Sequence, residues 1–320
     1  GPMRVAIALI GLLVALPPGA RAADDPFADG GPLYYVPAAD LLPALPVPPS
    51  DGVRACDGSL RCVDGVIRDM RRRWRPLDAA CDHDAVFAFT YLVTTETYRD
   101  FVRDPAFFTD NAFVNNQDRL FANFYFQAHD AWAAGDVARV PPAWRVAFRA
   151  AEQGAVKGMG NVLLGMNAHI QRDLPFVLYA IGLTKPDGAT RKTDHDRVNL
   201  ILRAAADRLL DEAAERYDPS LASGDLPGTA LDATALNLTL QAMREAAWRN
   251  AEALALAPDG AARLLVARSI EAEAWLAGLA LRAAFAYGLF DGPAARDAYC
   301  EGRDDGAAGG LLGGLLGIAE

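Results

Sequence analysis

Apolar residues recur every three or four positions through most of the chain after residue 58, and this spacing constrains the fold more than any other feature. The first such segment, residues 59–74, carries Leu60, Val63, Ile67, Met70 and Trp74. That period places apolar side chains along one face of an α-helix. No segment shows the sustained alternation of β-branched residues that is typical of a half-buried strand. The sequence therefore predicts an all-α fold.

Capping residues, glycines and prolines mark where the other helices begin and end. Gly135 is expected to end the third helix, and the prolines at 141 and 142 to begin a long fourth helix that runs to about residue 181, with possible breaks at Gly158 and Gly160. Further helices are expected at about residues 84–103, 195–216, 231–256 and 260–289. Some seven or eight helices would form a single multi-helix bundle domain.

Composition divides the chain into four parts. Residues 1–22 combine a Gly-Pro remnant of a cleaved tag with a signal peptide, which has a basic start, an apolar centre and an Ala20-Arg21-Ala22 cleavage site. Residues 23–55 form a proline-rich extended arm, 56–303 the helical domain and 304–320 a flexible Gly/Leu-rich tail. The leader predicts export to the periplasm or extracellular space, with a retained N-terminal anchor as the lesser alternative. No later apolar run is long enough for a transmembrane span of the mature chain.

Four cysteines in an exported chain suggest two disulfides, for which three connectivities are possible. Cys56 and Cys62 flank a turn-like segment, which favours a local loop between them. Cys81 would then pair with Cys300 and close a loop worth about 4–5 kcal/mol. A cysteine-rich metal site is the alternative, although no pair has C-x-x-C spacing.

The formal net charge of −10 argues against a nucleic-acid partner. The chain also lacks a phosphate-binding glycine loop followed by lysine and a Gly-x-Ser-x-Gly nucleophile motif. A small molecule or a lipid is the ligand class that remains open. The oligomeric state is not predicted.

His169 and Asp173 are the leading candidates for a catalytic and metal-binding pair. They stand four residues apart in an apolar helical run, so both side chains share one helix face. Two such groups could ligate a divalent metal such as zinc, or they could form a buried hydrogen bond that only fixes helix packing. Pro175 removes a helical N–H and is expected to kink the helix beside the pair.

Other polar residues could complete a site across the bundle. The candidate additional metal ligands are His129, His195 and Asp118, and the candidate substrate contacts are Asn167, Asn123 and Tyr125. Core packing, helix capping and buried polar networks would explain the same residues without any site.

Three segments resemble a bacterial family catalogued as domain of unknown function 5995. They are residues 121–126 (FANFYF), 165–175 (GMNAHIQRDLP) and 244–248 (REAAW). The likeness extends from about residue 60 to 290 and implies no reaction.

The His169-x-x-x-Asp173 segment followed by Pro175 is also similar to a segment of zinc-dependent phospholipase C and related single-strand nucleases, which are exported all-α enzymes. That likeness implies that both residues are metal ligands and that the substrate is a phosphodiester. With four histidines, this chain has fewer than those enzymes use, so a smaller metal site would follow.

Three functions are therefore compatible with the sequence. The first is a metal-dependent hydrolase acting on a phosphoester-like or lipid-like substrate, in which the cation activates water. The second is a non-catalytic helical protein that binds an apolar ligand. The third is a structural or interaction protein whose polar core fixes packing.

Overall fold

A computed structural model describes residues 44–50, 52–221, 225–226, 229–230, 233–288 and 290–303, without the side chains of 207 and 225–235. The predicted signal peptide, residues 23–43 of the arm and the predicted tail lie outside the described residues. The boundaries expected between these parts of the chain thus stay predictions.

The described residues form ten α-helices and one π-helical segment, which confirms the all-α fold. The helices are α1 Leu60–Ala79, α2 Asp84–Phe101, α3 Asn111–Ala133, α4 Pro142–Glu152, α5 Gly158–Met166, α6 Leu174–Ile181, α7 Lys192–Arg216, α8 Ala233–Leu256, α9 Gly260–Ala284 and α10 Ala294–Glu301. The π segment is Asn167–Asp173, between α5 and α6. Strands β1 Asp225–Leu226 and β2 Thr229–Ala230 form a small antiparallel pair. No helix within these ranges is both long and apolar enough to cross a membrane.

The long helix expected from residue 142 to 181 is in fact four consecutive helical pieces. Gly154, with a φ of 52°, ends α4 one turn before the predicted break, and Ala155 donates its N–H back to the carbonyl of Ala150. Such a left-handed residue after the last turn is a common helix C-terminus. The helix α10 was not predicted, and α9 ends at Ala284 rather than at residue 289.

The π segment lies at the centre of the bundle. It packs against α5 and α6, its neighbours in the chain, and against α3, α4, α8 and α9. Helix α2 packs between α1 and α7 and also contacts α5. Trp144, Trp248 and Tyr217 are the largest side chains with almost no exposure. Burying one such side chain contributes roughly 1.5–3 kcal/mol, so the core supplies much of the driving force for folding.

The described end of the proline-rich arm has no regular secondary structure and lies on the bundle. Val47 is buried, and its carbonyl accepts a hydrogen bond of 2.6 Å from the hydroxyl of Thr184. The N–H of Leu45 donates to Glu252 Oε1 on α8, and the N–H of Val53 donates to Ala180 O on α6, both at 2.8 Å. These bonds fasten Leu45 to α8 and Val53 to α6.

The two disulfides have the connectivity that the cysteine positions favoured. Cys56 is bonded to Cys62, and Cys81 is bonded to Cys300. The second bond ties the end of α1 to α10, across 219 residues of chain. Two disulfides are compatible with an exported protein.

Replacing Cys81 and Cys300 with alanine should destabilise the protein more than replacing Cys56 and Cys62. The loop-entropy relation gives about 5 kcal/mol for the separation of 219 residues and about 2 kcal/mol for the separation of 6. Urea denaturation of the two double variants under non-reducing conditions measures both losses. Equal losses of unfolding free energy in the two double variants would contradict the expectation that the longer loop stabilises the protein more.

Candidate functional site

The widened turn of the π segment positions His169. The N–H of Leu174 donates to the carbonyl of His169, five residues earlier, instead of to Ile170. Pro175 follows at once and has no N–H for the carbonyl of Gln171. The helix thus accommodates Pro175 by a wider preceding turn. The sequence had predicted a kink at this position. Such insertions are frequently found at functional sites.

Asp173 anchors the imidazole of His169. Its Oδ2 lies 3.2 Å from His169 Nδ1 and accepts a hydrogen bond of 2.9 Å from Trp144 Nε1 on α4. Its Oδ1 accepts a bond of 2.8 Å from Arg172, which also donates to Glu271 on α9. The carboxylate is fully buried and has three donors, so it holds His169 with the proton on Nδ1.

Aromatic rings enclose the imidazole of His169. Its plane is parallel to the ring of Phe121, with a centroid distance of 3.5 Å, and the ring of Tyr91 meets it edge-on at 4.6 Å. Burial lowers the pKa of His169 although the bond to Asp173 acts in the opposite direction. The imidazole is therefore neutral near pH 7. Its Nε2 is a buried acceptor without a hydrogen-bond partner.

A cavity of about 120 Å³ adjoins this imidazole. Its wall is mainly apolar and consists of residues from α2, α3, α5, α7, α8 and the π segment, among them Phe87, Phe121, Ile170, Ile201 and Leu240. Tyr91, Asp118 and His169 belong to the same wall. The cavity therefore combines an apolar interior with a small polar region.

Asp118 lies deep in the protein but keeps some accessible surface, because its side chain borders the cavity. Its Oδ2 is buried and has no hydrogen-bond partner. Burial raises the pKa of Asp118 to about 7, against a smaller opposing effect of Arg119. The hydroxyl of Tyr91 is also unpartnered, and burial together with the Asp118 carboxyl raises the pKa of Tyr91 well above its usual value.

Other hydroxyls in the wall already have partners. Thr90, Thr94 and Thr95 each donate to a carbonyl one turn earlier on α2. The hydroxyl of Tyr98 donates to Asn115 Oδ1 at 2.6 Å. The unmet hydrogen-bonding capacity of the described wall is thus concentrated on Tyr91, Asp118 and His169.

His129 and His195 do not line this cavity. His129 lies on α3 with Nδ1 at 3.2 Å from Asp130 Oδ1. His195 is buried on α7, where its Nε2 donates to the carbonyl of Arg244 at 3.2 Å. Burial and the charges of Arg244 and Lys192 lower the pKa of His195 well below its usual value. Both histidines therefore already have contacts that explain their positions.

The candidate substrate contacts lie outside the cavity wall as well. Asn167 donates to the carbonyl of Ala274 at 2.7 Å, which joins the π segment to α9. Tyr125 is buried between the rings of Phe87 and Trp144. Asn123 is partly buried on α3. Asn167 and Tyr125 thus contribute to packing.

Among the candidate metal ligands, Asp118 and His169 border the same cavity. Asp173 bonds to His169 Nδ1 and does not line the cavity. Within the described residues, no three His, Cys, Asp or Glu side chains form a group that could hold a metal ion. A catalytic zinc ion normally has three protein ligands. The geometry therefore supports the buried hydrogen bond between His169 and Asp173 more strongly than a metal centre.

Tyr91 and Phe121 are site residues that the sequence did not predict. A signal for Phe121 was available, because it follows Asp118 by three residues and so shares its helix face. Tyr91 had no such signal, since α2 is apolar on nearly every face. Only packing against α3 and the π segment places it at the cavity.

Comparison with known families places the chain in a family without an assigned function. A model described as a family of unknown function (DUF5995) matches residues 63–284, which is more than half of the chain. Searches of curated proteins and of solved structures gave no match. The proposed likeness to zinc-dependent phospholipase C and single-strand nucleases gains no support from these comparisons.

The buried carboxyl of Asp118 predicts a pH-dependent stability. Its pKa is raised from 3.8 to about 7 in the folded protein. Between these values only the unfolded state loses the proton, so the free energy of unfolding should fall as the pH rises from 4 to 7, by on the order of 4 kcal/mol. Urea denaturation across this range should show that the decrease is smaller in Asp118→Asn than in the unaltered protein by about this amount; buried Asp84 and Asp196, whose pKa values burial also raises, account for a decrease that remains.

Asp100→Asn is the matched control for this experiment, because the Asp100 side chain is exposed and lies outside the cavity wall. In Asp100→Asn, the free energy of unfolding should depend on pH in the same way as in the unaltered protein. If Asp118→Asn also keeps that pH dependence, the pKa of about 7 for Asp118 is contradicted.

Proposed function

The chain belongs to this family of unknown function, and from the cavity we propose that the protein binds a small, largely apolar molecule. The bound molecule would occupy the space between α2, α3, α7, α8 and the π segment. It would direct a polar group towards Tyr91, Asp118 and His169. The observation that carries this proposal is the apolar cavity with three side chains at its wall that each have one buried polar atom without a hydrogen-bond partner.

The size of the cavity supports this function. Protein interiors are normally packed as densely as organic crystals, and few voids exceed one water molecule. A dry cavity of about 150 Å³ can hold benzene, so a space of about 120 Å³ suits a ligand of about that size or smaller. Leaving such a space unfilled would cost packing energy, which a ligand would recover.

Rigid helices enclose this space. Asp118 and His169 lie on α3 and the π segment, which pack on each other, and the ring of Tyr91 on α2 contacts the rings of Phe121 and His169. A preformed site loses little conformational entropy when a ligand binds. The surrounding bundle therefore suits the holding of a ligand of defined shape.

Filling the cavity should abolish ligand binding. Ala206 lies in the cavity wall on α7 and is almost fully buried. Ala206→Leu adds three carbon atoms to this space, so benzene should raise the melting temperature of the unaltered protein but not of this variant.

Ala204→Leu is the matched control, since Ala204 lies on the exposed face of the same helix. It should respond to benzene as the unaltered protein does. An undiminished response in Ala206→Leu would show that benzene binds elsewhere, and no response in the unaltered protein would overturn the proposal.

A metal-dependent hydrolase is the second candidate, favoured by the unpartnered Asp118 Oδ2 and His169 Nε2 beside one cavity. These two ligands and two or more waters would hold the cation, which would activate one of the waters against a phosphoester-like or lipid-like substrate. Two protein ligands are fewer than catalytic zinc sites use, so ligand binding without chemistry is the stronger proposal.

Calorimetric titration with Zn²⁺ distinguishes the two candidates. We expect no zinc binding that depends on His169, because Asp118 is the only other His, Cys, Asp or Glu side chain that borders the cavity among the described residues. His129→Ala is the control, since His129 lies outside the cavity. Zinc binding that is lost in His169→Ala and kept in His129→Ala, together with hydrolysis of a phosphodiester, would favour the hydrolase.

A further inference from the structure

Building on the proposed binding function, we infer that the ligand is a small organic amine, bound with its ammonium group beside Asp118 and its apolar body in the cavity. Three independent properties of the cavity wall point to this class. They are the balance of hydrogen-bond donors and acceptors, the uncompensated carboxyl and the aromatic composition.

The first property is a shortage of donors. His169 Nε2 is an acceptor because the proton is on Nδ1, where Asp173 accepts it. Asp118 Oδ2 is an acceptor when the carboxyl is ionised, and both atoms lack a partner. The hydroxyl of Tyr91 offers a single donor. A ligand that matches this wall must therefore bring donors, and an ammonium group brings up to three.

The second property is the absence of a counter-ion that bonds to Asp118 within the described residues. Arg119, its neighbour in the chain, donates at 2.8 Å to Asp69 on α1. Arg244 also lines the cavity, but its guanidinium is bonded to the carbonyl of His195 and to Asn199 Oδ1. A buried carboxylate without a paired cation is costly, and a cationic ligand removes that cost on binding.

The third property is the aromatic wall. Phe87, Tyr91 and Phe121 all border the cavity, and the rings of Tyr91 and Phe121 meet edge-to-face at 6.1 Å. Aromatic faces attract cations through their quadrupole, and this attraction grows when the cation loses water. The remaining wall is aliphatic, with Ile201, Leu209 and similar side chains for the apolar body.

Other ligand classes fit less well. A neutral alcohol can donate one hydrogen bond but leaves the charge of Asp118 uncompensated. A divalent metal would find only Asp118 and His169 among the described wall residues, and it would not fill the apolar part of the cavity. A carboxylate ligand would face Asp118 with a charge of the same sign. The amine is the class that satisfies both the polar and the apolar region.

Amine binding should depend on the ionisation of Asp118. The titratable or charged side chains in the cavity wall and next to Asp118 are Tyr91 and Tyr98 on α2, Arg119 on α3, His169 on the π segment and Arg244 on α8. The α7 residues in the wall carry no ionisable group. Burial raises the pKa of both tyrosines and lowers that of His169, so these groups stay neutral near pH 7. Asp118, with a pKa of about 7, is therefore the group that changes charge.

Calorimetric titration of the full chain with butylamine and with butanol tests this inference at pH 8. The two probes have the same four-carbon body, and butylamine is a cation at this pH. The unaltered protein should bind butylamine about tenfold or more tightly than butanol, because a bond to a charged partner is stronger than a neutral one. Asp118→Asn should remove this preference and keep butanol binding, whereas Asp100→Asn should keep both.

A second measurement does not depend on any variant. For the unaltered protein, butylamine affinity should fall by up to about tenfold per pH unit below pH 7, because the Asp118 carboxyl must lose its proton to bind the cation. Butanol affinity should stay constant over the same range. A parallel response of the two probes would overturn the amine inference.

The outcomes also separate the amine inference from the broader proposal. If benzene and butanol bind but butylamine binds no more tightly than butanol, the ligand class is wrong and the cavity remains a binding site. If none of the three probes binds, both the binding function and the amine inference are overturned.

Discussion

One buried carboxylate, that of Asp173, supports most of the arrangement around the cavity. It accepts hydrogen bonds from Trp144 on α4, from Arg172 and from His169, and Arg172 continues the network to Glu271 on α9. A fully buried carboxylate is tolerated only when its hydrogen-bonding capacity is met. Because the donors belong to different elements, Asp173 holds these elements together and sets the orientation of the imidazole.

The π segment makes this arrangement possible. Its widened turn places His169 in contact with Phe121 and Tyr91 while Asp173 still reaches Trp144. Gly165, one turn earlier, lets the ring of Phe87 approach so closely that a Cβ atom would lie 2.2 Å from it. A local adjustment of the backbone and one missing side chain thus bring α2, α3 and α5 together around the imidazole.

The polar groups at the centre of the protein fall into two sets with different physical consequences. The carboxylate of Asp173 accepts three hydrogen bonds, which stabilises the packing of the helices. Beside the cavity, the Tyr91 hydroxyl, Asp118 Oδ2 and His169 Nε2 lack a hydrogen-bond partner, and burial raises the pKa of Asp118. Unmet polar groups are unfavourable for stability, so three of them beside one cavity are typical of a site that a ligand completes.

The sequence by itself determined the helical class and the approximate positions of most helices and favoured the disulfide pairing that the structure has, because each follows from local periodicity, capping or chain spacing. It did not predict the break after Glu152 or the π segment, since both depend on packing at the centre of the bundle. Only the tertiary structure decided which residues meet His169. It separated His129 and His195 from the cavity and brought Tyr91 and Asp118 to its wall, because contacts between different helices depend on how their faces pack and not on residue spacing along one helix.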